Sequence, residues 1–160
     1  MNNEMDDFAA KPGVTNAFGM LGGVANAIEA GKRPLSSMTP TIVFSGGEPW
    51  FATGSPGGSR IITAVLQMII NVIDHGMNIA EAANAPRMHH QWYPDALFLE
   101  PGFSPDTVRL LKARGHNVQA SRSSSGSTQT VAYKDGLFRG ASDTRRPGAG
   151  SVAPMASDTP

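Results

Sequence analysis

The stretch "ATGSPGGSR", residues 52–60, places three glycines and a proline directly before the apolar run "IITAVLQMIINVIDHG". Gly57 and Gly58 free the backbone there, so successive N–H groups can converge. A helix start adds partial positive charge to them. That combination suits a phosphate, a carboxylate or a developing oxyanion. It is not a Walker A loop, because the Gly-Lys-Ser/Thr ending is missing and Arg60 stands in its place. It also lacks the spacing of the dinucleotide glycine motif. Taken alone, the pattern favours a structural turn over an anion hole.

Three other groups carry candidate chemistry. In "NNEMDDF", Glu4 and Asp7 lie three residues apart beside Asp6 and could aim two carboxylates at one ammonium group. The plainer reading is a solvated acidic segment. In "RPLSSMTP", Ser36 and Ser37 are adjacent hydroxyls held extended between prolines, with Arg33 nearby. They could bind a carboxylate, and a polar connector explains them more simply. In "MHHQW", His89 and His90 are neighbours, which a strand would point to opposite faces. They therefore read as structural, as does His75 at a helix end. The serines of "SRSSSGS" have no nucleophile elbow around them and read as loop.

The elements that would position these residues are partly legible. Residues 1–32 show no period and read as a long loop region, a feature that is usually functional or disordered. "TPTIVF", "SGGE" and "PWFATG" read as a β-hairpin, and "TQTVAY", "KDG" and "LFRGAS" as a second. A helix is expected over residues 59–75 with Gly76 capping it. Asn78 and Glu81 form a capping-box-like start to a short helix ended by Pro86. "RMHHQW" and "ALFLE" are strand candidates. "SPDTVRLLKARGH" is the clearest helix, with Ser104 as N-cap, Pro105 in the first position and Gly115 as the stop. "NVQAS" then extends. From Thr144 onward the Pro/Ala/Ser/Gly composition has no packing pattern and reads as a disordered tail. The sum is an α+β arrangement in which hairpins pack against two main helices.

The chain has 160 residues and 40% apolar content, enough for one domain or part of a larger one. Charged residues make up only 16%, which fits faces covered by other protein. Thirteen basic and thirteen acidic residues cancel, so no global field points to nucleic acid or to an anionic membrane. The chain has no cysteine, which excludes its own disulfides, thiol catalysis and Cys-ligated metals. The first residues do not read as a signal peptide. The run 61–73 is too short and too polar to span a bilayer.

Five ordered segments, "NNEMDDF", "RPLSSMTPTIV", "TGSPGGSRI", "VLQMIINVIDHGMNIAEAANAPRMHHQW" and "GASDTRRP", together resemble the small subunit of γ-glutamyltransferases, also called glutathione hydrolases. The likeness is collinear to about Pro147. It implies the N-terminal nucleophile hydrolase fold, a four-layer α/β/β/α sandwich, over residues 1–147. Residues 1–32 would hold the substrate-site and lid-loop region, and 148–160 would be a disordered tail. It also implies a self-cleaving precursor whose new N-terminal threonine attacks the γ-amide of glutathione or a similar compound. The γ-glutamyl-enzyme then passes its acyl group to water, an amino acid or a peptide. No metal or organic cofactor is implied. The partners would be a large subunit and the N-terminal part of the small one. The implied location is periplasmic or extracellular.

By the same resemblance, Glu4 and Asp7 match the pair that grips the α-amino group of the γ-glutamyl moiety. Ser36 and Ser37 match the serines near the α-carboxylate. Gly57 and Gly58 match the oxyanion-hole glycines, which reverses the preference for a mere turn. Two departures follow. The nucleophilic threonine lies upstream of the first motif in the family, so this chain is expected to be inactive alone. Phe18 stands in the lid loop where bacterial members commonly carry tyrosine, so the hydroxyl is lost. Two other readings are a non-catalytic γ-glutamyl or amino-acid binding module and a related acylase. Glu4 and Asp7, suited to an α-ammonium group, argue against an acylase for glutaryl amides, which lack that group.

Overall fold

A computed structural model describes residues 4–121 and 125–146. The tail 148–160 therefore lies outside the described residues. Both expected hairpins form. Strands β1 (Thr41–Ser45) and β2 (Glu48–Gly54) pair antiparallel, with a register shift between Val43 and Phe44. Their connection is Gly46–Gly47, with φ of 62° and 88°. Strands β6 (Gln129–Lys134) and β7 (Leu137–Ser142) turn at Asp135–Gly136, with φ of 54° and 76°. Left-handed φ at both central residues matches the twist of the flanking strands, which is why such turns join hairpins. β2 pairs antiparallel with β6, Phe51 facing Ala132, so the two hairpins make one sheet of order β1-β2-β6-β7.

Helices α1 (Arg60–Ile73) and α2 (Ile79–Asn84) cover one face of that sheet. α1 buries Ile61, Ala64, Val65, Met68 and Val72, a spacing that keeps one stripe on the core. Met68 and Val72 meet Phe51, Ala82, Ala83, Ala132 and Ala141. Truncating the fully buried Met68 to alanine would cost roughly 2–5 kcal/mol. α2 begins with the expected capping box. The Asn78 side chain accepts from Ala80 and Glu81 N–H groups, and Glu81 accepts from the Asn78 N–H. The other face of the sheet carries exposed Ile42, Phe44, Val131 and Tyr133.

A second sheet joins β3 (Met88–His89), β4 (Leu97–Leu99) and β5 (Val118–Ala120) in that order. β4 and β5 run parallel, connected through α3 (Pro105–Ala113). α3 starts as its sequence predicts, with the Ser104 hydroxyl accepting from Thr107 N–H.

Three expectations need correction. Of the two main helices, only α1 packs against the hairpins. The short α2 joins α1 on the large sheet, while α3 rests on β5 and has no buried residue. The strand expected over "RMHHQW" stops at His89, because Gln91 and Trp92 turn the chain, with Trp92 at φ 71°. The third concerns the expected tail, which does not begin at Thr144. Arg145 is tied into the interior by bonds to Glu100, Asp143 and the carbonyls of Ala83 and Ala85.

Candidate functional site

The acidic segment forms a single 3-10 turn, Met5–Asp7, closed by Asp7 N–H donating to the Glu4 carbonyl at 3.0 Å. In that geometry residues three apart eclipse, so Glu4 and Asp7 share a face. Burial, and then the charges of Glu4 and Asp6, push the Asp7 carboxyl above its ordinary value. Among the described residues its carboxylate has no hydrogen-bond donor. A positively charged ligand would relieve that cost.

A cavity of about 600 Å³ runs along this arm and is lined by Asp7, Asn26, Ser36, Ser37 and Ile62, among others. Asp7 and the serine pair thus face one space. Glu4 and Arg33 do not line it. Ser37 is buried, while exposed Ser36 accepts from Met38 N–H at 3.2 Å, which fixes the loop. Asn26 holds the two arms together. Its amide donates to the Asp7 carbonyl at 2.6 Å, and its oxygen accepts from Leu35 N–H at 3.1 Å.

The glycine loop enters α1 as expected. Gly57 and Gly58 have φ of 142° and 56°, backbone states that favour glycine. Among the described residues neither N–H is spent on a hydrogen bond. The ring of Phe18 lies on Gly58: a β-carbon built there would come within 2.6 Å of Phe18 Cε1. Phe18 is 46% exposed and sits in a tight turn. Asn16 accepts from the N–H groups of Phe18 and Met20, and its amide donates to the Asp6 carbonyl. The Asp6 carboxylate takes the Ala17 N–H. The acidic arm therefore carries the Phe18 turn on its back.

Under the Phe18 turn lies Gln91. Its amide NH2 donates to the carbonyls of Tyr93 at 3.0 Å and Phe18 at 3.4 Å. Its oxygen takes the Ser59 hydroxyl at 2.7 Å and His89 Nε2 at 2.8 Å. An amide oxygen can only accept, so His89 carries its proton on Nε2 and Nδ1 accepts from Thr63 Oγ1 at 2.8 Å. Burial holds the imidazole below its usual value, helped by the Arg60 charge and opposed by the Gln91 bond. The expected opposite facing of the two histidines holds: His89 is buried and His90 exposed.

Behind the loop sits segment 125–128. A β-carbon on Gly57 would meet Gly126 Cα at 3.4 Å, and Ser127 N–H donates to Ser55 Oγ at 2.9 Å. Two buried carboxylates fix this segment. Glu100 accepts from Ser125 N–H at 2.7 Å and Asp143 from Thr128 N–H at 2.9 Å. Arg87 pairs with Asp143 at 2.7 Å, and Arg145 bridges Asp143 and Glu100 at 3.0 and 2.7 Å. Burial works against both acids, but these arginine and N–H bonds outweigh it and hold them below the ordinary carboxylate range. Arg87 pays for its own burial yet remains a cation. Among the described residues no group of three His, Asp or Glu side chains converges as a metal site would require.

A family model described as Gamma-glutamyltranspeptidase matches residues 1–153. The chain belongs to that family. It is 61% identical over 146 residues to a glutathione hydrolase proenzyme of Escherichia coli, covering 91% of this chain and 25% of that protein. A proenzyme of the same name from Pseudomonas aeruginosa is 41% identical over 155 residues, covering 95% and 28%. Among solved structures, a γ-glutamyltranspeptidase of Pseudomonas nitroreducens complexed with L-DON superposes with a TM-score of 0.85 at 41% identity, covering 96% of this chain and 81% of that one. A mutant γ-glutamyltranspeptidase of Helicobacter pylori gives 0.84 at 49% identity, covering 91% and 81%. The fold is thus α+β and shared with γ-glutamyltranspeptidases, as the resemblance implied. The chain spans about a quarter of the length of the curated relatives it matches.

Within this γ-glutamyltranspeptidase fold, the expected residues fall into two groups. Asp7, Ser36 and Ser37 share the cavity, and the Phe18 ring lies on Gly58 of the glycine loop, which does not line that cavity. Asn26, Gln91 and Arg145 were not singled out from sequence. Asn26 sits in a segment without periodicity, with side-chain partners 9 and 19 residues away, and Gln91 ends a strand candidate, with two of its partners 32 and 73 residues away.

Proposed function

We propose that this chain supplies donor recognition and the oxyanion hole for γ-glutamyl transfer from, and hydrolysis of, glutathione and related γ-glutamyl compounds. The observation that carries this reading is the Gly57–Gly58 loop, with two N–H groups unspent among the described residues and the Phe18 ring lying on Gly58. The hydroxyl of a threonine outside this chain attacks the γ-carbonyl carbon. Negative charge develops on the carbonyl oxygen, where the two N–H groups receive it. The amine leaves with a proton, and the γ-glutamyl-enzyme is then taken by water, an amino acid or a peptide. Asp7, with Glu4 on the same face, holds the α-ammonium group. Ser36 and Ser37 donate to the α-carboxylate. The Phe18 ring keeps water off the hole without needing a hydroxyl.

The remaining partners are protein. The bare sheet face with Ile42, Phe44, Val131 and Tyr133 favours cover by the large subunit and the N-terminal part of the small one. No helix among the described residues is long and apolar enough to cross a membrane. The family resemblance favours a periplasmic or extracellular setting. The test is a chimera in which this chain replaces the matched quarter of the Escherichia coli proenzyme. It should release the chromophore from a γ-glutamyl anilide, and Asp7→Ala within it should not. A folded, cleaved chimera without turnover would overturn the proposal, and retained glutamate binding in it would favour a binding module instead.

A further inference from the structure

Ser59 stands at the N-cap position of α1, yet its side chain caps nothing. Serine is placed there elsewhere because its oxygen accepts a helix N–H. Here the hydroxyl instead donates to Gln91 Oε1 at 2.7 Å, one residue beyond the glycine loop. The opposite end of the same amide faces the lid, donating to the Phe18 carbonyl and lying 3.6 Å from a β-carbon built on Gly19. Its second proton goes to the Tyr93 carbonyl, and its second lone pair to His89. All four hydrogen-bonding positions are used, so the amide can neither flip nor swing without losing bonds. His89 is 2% exposed and is itself braced by Thr63 in the first turns of α1.

We propose that Gln91 is a positioning residue that joins the closed lid turn to the oxyanion loop, its NH2 end holding Phe18 over Gly58 and its oxygen end holding Ser59. This rests on the acyl-transfer reading above. Each end serves a different step. The lid end governs how well the γ-glutamyl donor is retained. The Ser59 end governs how well the Gly57 and Gly58 N–H groups are aimed when charge develops.

The two ends can be cut separately in the active chimera. Gln91→Glu keeps an acceptor for Ser59 and His89 but replaces the NH2, and with it both donors, by a single oxygen facing the carbonyls of Phe18 and Tyr93. It should raise KM for a γ-glutamyl anilide roughly tenfold and leave kcat within about threefold. Ser59→Ala keeps the lid contacts and removes the tether. It should lower kcat roughly tenfold and leave KM within about threefold. Gln91→Met should show both losses. A thermal scan of each variant separates these effects from failed folding, and Ser59→Ala, a single-oxygen truncation, guards against it. The inference is overturned if the wild-type chimera turns over but both variants change only its melting temperature, or change KM and kcat together. An inactive wild-type chimera would instead overturn the acyl-transfer reading.

Discussion

Gly58→Ala tests the contact between the Phe18 turn and the glycine loop. Two separable costs follow from the structure. The first is backbone: Gly58 has φ of 56°, and an L-residue there loses roughly 1–2 kcal/mol. The second is steric. A new β-carbon would lie 2.6 Å from Phe18 Cε1, whereas carbon–carbon contact is comfortable near about 3.5 Å. The ring must therefore retreat by about 1 Å. Phe18 is 46% exposed, so its turn moves rather than the core. The backbone cost should appear as lost thermal stability with or without the ring. The steric cost should appear in kcat/KM only while the ring is present. A double-mutant cycle with Phe18→Ala, assayed on a γ-glutamyl anilide in the chimera, isolates it. We expect a coupling of about 1 kcal/mol, so that the double variant is about fivefold more active than the single losses multiplied together. Losses that multiply to within about 0.5 kcal/mol would refute the contact.

Three further outcomes are expected. Asp7→Asn should raise the melting temperature at pH 7, because an acid whose folded pKa is raised costs stability once it ionises, while removing γ-glutamyl donor binding; a lower melting temperature would contradict this. Arg145→Ala should cost about 3 kcal/mol in denaturant unfolding, since it leaves Glu100 and Asp143 underpaired in the interior, and a loss below about 1 kcal/mol would restore the view of Thr144 onward as an uninvolved tail. Stability should fall as the pH drops. His89, Glu100 and Asp143 all have folded pKa values below their unfolded ones, so each contributes above its unfolded pKa and is lost as pH falls through the folded one. The loss therefore begins below about pH 6.5 with His89 and steepens below about pH 4 with the acids. His89→Gln should erase the earlier part in a pH series of melting curves.

The sequence was most readable where chemistry is local. The Asn78–Glu81 box, the Ser104 cap and the two hairpin turns are set by residues within three or four positions of one another, and all form as expected. Long-range polar contacts left no such trace. Arg145 sits in a stretch of tail-like composition, and its partners lie up to 62 residues away. Ser125 and Ser127 are buried, although the serine-rich run "SRSSSGS" reads as loop. Gln91 looked like part of a strand because its role depends on a turn that only tertiary contacts impose. The candidate site residues rest on another signal: five collinear motifs name them together, whereas each alone favours a plainer reading.

The central claim is that Asp7, the serine pair and the glycine loop hold one γ-glutamyl group. The most direct measurement is a crystal structure of the chimera with a γ-glutamyl phosphonate that mimics the tetrahedral intermediate. The account predicts the ammonium group on Asp7, the carboxylate on Ser36 and Ser37, and a phosphonyl oxygen about 2.7–3.1 Å from the Gly57 and Gly58 nitrogens. A ligand bound with its oxygen away from those nitrogens, or with its ammonium group away from Asp7, would contradict it.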